Sequence, residues 1–285
     1  MQFASPTTIG EAVRLLAGAE GVAHVLAGGT DLIVQMKSGM RRPDLVVDVK
    51  RIPQMLTIAG DAAGFSIGAA VCGAEIAEHE ALAAAWPGFV EATDVIGSMQ
   101  VQGRATPAGN LCNASPAADS VPAMIAAGAT VEIAGPEGRR SVPVEDVPTG
   151  PGRTSLRKGE FIVAIRLPAK RPRSADAYLR FTPRTEMDIA VASAAVNLAF
   201  DAAGVCTFAR VAIGAVAPTA LLVEEAGAAL VGTSLEEAAL EKAAGAVRAA
   251  CRPIDDKRGT AEFRTDVAGV MFRRAAAIAK TRALA

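Results

Sequence analysis

Two consecutive glycines set between an apolar strand and a helix constrain this chain more than any other feature. His24-Val25-Leu26 is a short apolar run, Ala27-Gly28-Gly29-Thr30-Asp31 follows at once, and Leu32-Ile33-Val34-Gln35-Met36-Lys37 continues at helical spacing to stop near Gly39. Glycine tolerates positive φ and lets a ligand approach the main chain. The helix that follows opens with unpaired N–H groups and a partial positive charge, a setting that favours phosphate oxygens. The pattern is not GxGxxG, and no Gly-Lys-Ser/Thr follows at Walker spacing. A tight strand-to-helix turn with Thr30 as the helix cap fits the same residues, so this loop alone leaves both readings open.

The segment from Gly97 to Ser120 adds a second constraint. It holds Gly97, Gly103, Gly109, Pro107, Pro116, Asn110, Asn113, Ser115 and Asp119 with little apolar periodicity. A long stretch of small polar residues inside a compact domain reads as a functional loop. Thr106, Gly109, Asn110, Asn113, Ser115 and Asp119 together supply hydroxyls, amides and a carboxylate. Such a set can donate to a diphosphate and accept from ribose or adenine, although a compact loop satisfied by its own polar groups has the same composition. Asn113-Ala114-Ser115 matches a glycosylation acceptor by chance, since the N-terminus has no export signal.

At 285 residues the chain sits where single cores stop growing, and it reads as two domains. Nine Phe, one Trp and one Tyr are few, so Ala, Val, Leu and Ile must build the core and base-stacking platforms are unexpected. A net charge of −1 removes the electrostatic case for nucleic acid or an anionic membrane. Cys72, Cys112, Cys206 and Cys251 stand apart with no CxxC pair, which excludes a local zinc or iron–sulfur site and fits reduced thiols in a cytoplasm. His24 and His79 lie far apart, which leaves a histidine triad to coincidence of folding. No apolar stretch approaches the ~20 residues of a membrane span.

Residues 7–17, 75–86 and 89–96 read as helices, and residues 45–49, 65–69, 130–134 and 161–167 as strands, with a hairpin turn at Pro136-Glu137-Gly138. Lys170-Arg171-Pro172-Arg173-Ser174 reads as a solvated linker. Beyond it two strands flank a turn at Asp201–Gly204, then helices follow, the first opened by a capping box at Ser234-Leu235-Glu236-Glu237. The class is α+β.

Leu26–Ile33, Gln100–Asn110 and Leu111–Ser120 resemble the FAD-binding medium subunit of molybdenum hydroxylases, the family of carbon-monoxide-dehydrogenase-like and xanthine-dehydrogenase-like complexes. The likeness continues through Phe161–Pro168, Tyr178–Ala190, Gly214–Thr219 and Arg258–Arg264. It implies a two-lobed FAD-binding domain of the vanillyl-alcohol-oxidase (PCMH) type over residues 1–172 and a small sheet-plus-helices flavoprotein domain over residues 177–285. It also implies roles. Ala27, Gly28, Gly29, Thr30 and Asp31, with Thr106, Pro107, Ala108, Gly109 and Asn110, would grip the FAD diphosphate, and the flanking Leu26, Leu32 and Ile33 would also belong to the cofactor site. Asn113, Ser115 and Asp119 would touch the cofactor beyond it, and Ile96 and Ile162 would lie near the flavin. Arg180 stands where relatives carry Lys near the ring. Two departures stand out. Val101-Gln102-Gly103-Arg104 replaces the usual Ile-Arg-Asn-Arg, and Thr106-Pro107-Ala108-Gly109 replaces Thr-Ile-Gly-Gly. If Ala108 occupies a positive-φ position, it strains the loop by about 1 kcal/mol or more, and Pro107 removes one donor.

The resemblance implies an FAD-carrying electron-transfer subunit, with molybdopterin in a large partner subunit and [2Fe–2S] clusters in a small one. NAD, oxygen or a quinone would be the acceptor. A free-standing flavin oxidase or reductase, and a cofactor-free assembly scaffold, are the alternatives. Trp86 and Cys112 read as core residues, and Tyr178 as a strand residue with gating left open.

Overall fold

The computed structural model describes residues 1–185 and 187–285. The chain begins with a three-stranded parallel sheet, in which Leu45–Asp48 lies between Gln2–Ala4 and Ala23–Leu26. Parallel neighbours need crossovers, and the helices Ile9–Gly18 and Leu32–Lys37 provide them. The first helix is closed reciprocally. Thr8 Oγ accepts from the Glu11 N–H at 3.2 Å, and the Glu11 carboxylate accepts from the Thr7 N–H at 3.0 Å.

A second lobe is built on a five-stranded antiparallel sheet in the order Ile58–Asp61, Gly64–Gly68, Phe161–Pro168, Thr130–Gly135, Gly138–Pro143. The strand Phe161–Pro168 carries a register shift between Ile162 and Ala164. Such a bulge re-aims a side chain relative to the regular pleat. The expected helix over 75–86 is two helices, Gly73–Glu78 and Glu80–Ala85. His79 divides them, its Nδ1 accepting from the Leu82 N–H at 3.2 Å as the cap of the second.

The expected loop from Gly97 to Ser120 is corrected as well. It contains the short helices Met99–Gln102 and Pro107–Asn113. Thr106 caps the latter, accepting from the Gly109 N–H at 2.9 Å, and Pro107 occupies its first turn, where a missing N–H costs little. Ala108 lies inside this helix and is not among the positive-φ residues, so the expected strain is absent.

The C-terminal part is a four-stranded antiparallel sheet, Ser174–Phe181, Ala192–Phe200, Cys206–Gly214 and Leu221–Leu222, with the helices Glu224–Leu230, Glu237–Ala250 and Ala261–Leu284. Every residue of Ala192–Phe200 is buried, because Ala261–Leu284 packs on that strand and so does Ser120–Ala127 from the N-terminal part. Tyr178, Ala195 and Ala212 accordingly belong to the N-terminal core. The helix Glu237–Ala250 has no Ser234 capping box. Glu236 takes the cap position, and its carboxylate accepts from the Ser234 N–H and hydroxyl at 3.2 and 3.1 Å.

The stretch read as a solvated linker is a clasp. Lys170 Nζ lies 3.9 Å from the centre of the Trp86 ring and 3.0 Å from Asp176 Oδ1, and Asp176 accepts the Phe89 N–H at 3.0 Å. Arg282 pairs with Glu91 beside it. Lys170 is held by a cation–π contact and a buried carboxylate, so it does not behave as a free surface charge.

Candidate functional site

The strand Ala23–Leu26 delivers the chain into the double-glycine bend, where Gly29 adopts φ +79°. Lys50 fixes the bend from below, donating to the Ala27 carbonyl at 2.9 Å while paired with Asp48 at 2.6 Å. The bend packs directly on the segment before the second helix. A methyl group added at Gly28 would lie 2.0 Å from the Arg104 carbonyl oxygen. The two glycine-containing segments therefore meet, backbone against backbone.

They meet on the wall of a cleft of about 340 Å³, within the size range of small-molecule sites. Leu26, Ala27, Gly28, Gly29, Thr30, Asp31 and Leu32 line one side; Thr106, Ala108, Gly109, Asn110 and Asn113 line another; Ile96 and Ile162 also reach it. Five of the proposed contacts lie off the wall: Ile33, Pro107, Ser115, Asp119 and Arg180. Pro107 is buried in the core side of its helix. Asp119 is buried behind the wall, accepting from Tyr178 Oη at 2.7 Å and paired with Arg180 at 2.7 Å. Burial pushes its carboxyl up while Arg180 and Tyr178 pull it down. Tyr178 is thus engaged in the same cluster, which leaves no free hydroxyl to act as a gate. Thr30 does not cap the helix Leu32–Lys37. Asp31 holds that position and makes no side-chain cap bond.

The cleft is rich in free donors. Among the described residues, the N–H groups of Gly28, Gly29, Thr30, Asp31 and Leu32 have no protein acceptor. Asn110 Oδ1 accepts from the Ser120 hydroxyl at 2.8 Å, and Asn113 Oδ1 accepts from Gln35 Nε2 at 2.9 Å. Occupied carbonyl ends leave both Nδ2 groups available to donate. A concave wall of backbone and amide N–H groups, with no Cβ at Gly28 or Gly29 to fill it, fits a diphosphate. Cys112 also lines the cleft, and burial pushes its thiol up to about 12, which keeps it protonated and inert as a nucleophile.

The comparison with known proteins decides the family. Residues 1–170 match the FAD binding domain in molybdopterin dehydrogenase, and residues 177–279 match the CO dehydrogenase flavoprotein C-terminal domain. The chain belongs to this family of FAD-binding medium subunits.

Its relatives in the family include the carbon monoxide dehydrogenase medium chain of Afipia carboxidovorans, 38% identical over 98% of this chain and 96% of that protein. The corresponding chain of Hydrogenophaga pseudoflava is 33% identical over 96% of this chain and 95% of its own length. Among solved structures, Cu,Mo-CO dehydrogenase in its cyanide-inactivated form superposes with a TM-score of 0.95 at 37% identity, covering 99% of this chain and 98% of that one. Sequence reasoning missed other cleft residues of this family member. Gln35 follows Asp31 by one helical turn, a spacing that signals a shared face. His24, Arg41, Gly152, Thr154 and Leu156 also line the cleft, and no local motif announces them.

Proposed function

We propose that the cleft holds FAD, and that this chain passes electrons from the [2Fe–2S] clusters of a small partner subunit to an external acceptor. A large molybdenum-cofactor subunit would carry out the substrate chemistry. The carrying observation is the convergence of unpartnered N–H groups from Gly28–Leu32 and the Asn110 and Asn113 amides on one concave wall. These groups would bind the diphosphate. Ile96, Met55 and Ile162 supply apolar side chains on the wall against which a ring would be oriented and shielded from water. FAD, when bound, supplies a carrier that exchanges electrons one or two at a time, and the protein's part is to place and tune it.

Family membership supports the partner assignment, and no cysteine pair in this sequence can hold a cluster locally. No helix of the described residues is long and apolar enough to cross a membrane. The four free thiols support a cytoplasmic location. The deciding experiment is the visible spectrum of the purified chain, with the released cofactor identified, beside the Gly29→Val variant. That variant puts a β-branched side chain at φ +79°, where its Cβ meets Leu26 and Ile33 at 2.8 and 2.9 Å. FAD in the wild type and none in the variant, with the C-terminal core intact, is expected. Full FAD retention by the variant would refute the cradle. A colourless wild type that takes up no FAD would refute the function.

A further inference from the structure

The cleft holds an unmatched positive charge. Arg41 is half-buried on its wall, in the connection that follows the helix Leu32–Lys37. Its backbone N–H is fixed to the Gln35 carbonyl at 3.1 Å, and Gln35 is itself tied across the cleft to Asn113. Among the described residues the Arg41 guanidinium has no carboxylate partner and no hydrogen-bond acceptor. It is close enough to His24 to disfavour protonation of that ring. It also lies 3.9 Å from where a Gly152 Cβ would stand. The Gly152 N–H, bonded to the Ala114 carbonyl at 3.0 Å, holds that hairpin against the end of the helix Pro107–Asn113.

Two acids share the wall, and neither neutralises Arg41. Glu160 is bound by Arg140 through two oxygens at 2.7 and 2.9 Å, which holds its carboxyl down to about 2. Asp31 stands at the exposed mouth of the cleft, beside the free N–H groups of the bend. A guanidinium cannot shed its proton, so a half-buried one without a partner calls for an anion from outside the chain. The candidate anion is a phosphate, which a planar guanidinium binds through two parallel bonds. Arg41, His24 and Gly152 stand together on the wall, while Ile96, Met55 and Ile162 on the same wall carry no charge that could meet a phosphate.

We propose that Arg41 is the cationic clamp for the ADP half of the cofactor, so that Arg41 and its neighbours on the wall read the nucleotide and leave the flavin to the apolar side chains. This rests on the reading of the cleft as an FAD site. The test uses the full-length apo chain, as wild type, Arg41→Ala and Arg41→Lys. Three quantities are measured: the Kd for FAD, the Kd for ADP by competition against FAD, and the midpoint potential of bound FAD. In Arg41→Ala both Kd values should rise together by about tenfold or more, the loss of one charge-assisted contact, and the potential should not move. Arg41→Lys should fall between, because it keeps the charge and loses the fork. The proposal is overturned if FAD weakens while ADP does not, if neither changes, if the potential shifts with the affinity, or if ADP fails to compete in the wild type. A wild type that binds no FAD refutes the underlying cleft assignment instead, so the two failures are distinct. Unchanged apo melting temperatures across the three proteins confirm that any loss is one of binding and not of folding.

Discussion

Substituting Gly28 by Ala tests the junction on which the cleft depends. The added methyl would lie 2.0 Å from the Arg104 carbonyl oxygen and 2.7 Å from its carbon, and ordinary contact begins near 3.4 Å. Both atoms are backbone, so no side chain can swing aside. The bend or the Arg104–Ala105 segment must move by about 1.4 Å. Overpacking of this kind costs about 1–3 kcal/mol, which for a chain of this size lowers the melting temperature by about 2–12 °C. The effect on the ligand should be larger. A shift above 1 Å takes N–H donors out of hydrogen-bond range, and each bond to a charged phosphate contributes about 1.5–3 kcal/mol. Loss of two such bonds weakens FAD binding by about 10²-fold or more. Thermal melts and titration of the apo chain by flavin fluorescence read both effects. Gly103→Ala is the matched control, since a Cβ there meets nothing within 4 Å, and it should change neither. Unchanged melting and unchanged FAD affinity in Gly28→Ala would show that the two segments do not meet as described.

Two other outcomes follow from the same geometry. Ala108→Gly installs the glycine that the family resemblance leads one to expect, yet Ala108 is helical and buried, so stability should fall by about 1 kcal/mol with no gain in FAD affinity; tighter binding would show that the position needs a glycine conformation. Burial and Arg41 lower the His24 pKa below 6.5, so the unfolded chain binds more protons as pH falls through 6.5 and the native state loses stability there; His24→Gln should flatten the melting temperature of the apo chain between about pH 7 and pH 5, and identical slopes would refute that assignment.

The first bend was legible because its signal is local. An apolar run, two glycines and a helical pattern occupy adjacent positions, and the structure keeps them adjacent as strand, bend and helix. The second segment reads as a loop because its helix is only seven residues long and buries Pro107, Ala108 and Leu111, too few apolar positions to show a period. Its start was nonetheless written in Thr106-Pro107, a cap followed by a proline in the first turn. Lys170 misleads for the opposite reason. Its charge said solvent, and nothing nearby said that Trp86 and Asp176 would enclose it. The Gly152–Leu156 wall of the cleft is a hairpin brought in by tertiary packing, and spacing along the chain carries no trace of that.

Asp119 shows why the two domains have to be read together. From the sequence it belongs to the polar run that faces the cleft, yet its carboxylate is bound by Tyr178 and Arg180, both on the first strand of the C-terminal sheet. The next residue, Ser120, donates to Asn110 Oδ1 and so sets which end of that amide faces the cleft. An unconstrained asparagine can present its carbonyl or its NH2, and only the NH2 suits a phosphate. The C-terminal sheet therefore acts on the cleft without touching it. It anchors Asp119, Asp119 leads into Ser120, and Ser120 orients Asn110 as a donor. A short polar motif conveys the residue types needed for an anion site, but the orientation that makes them donors comes from strands some sixty positions away, as the 61-residue separation of Asp119 and Arg180 shows.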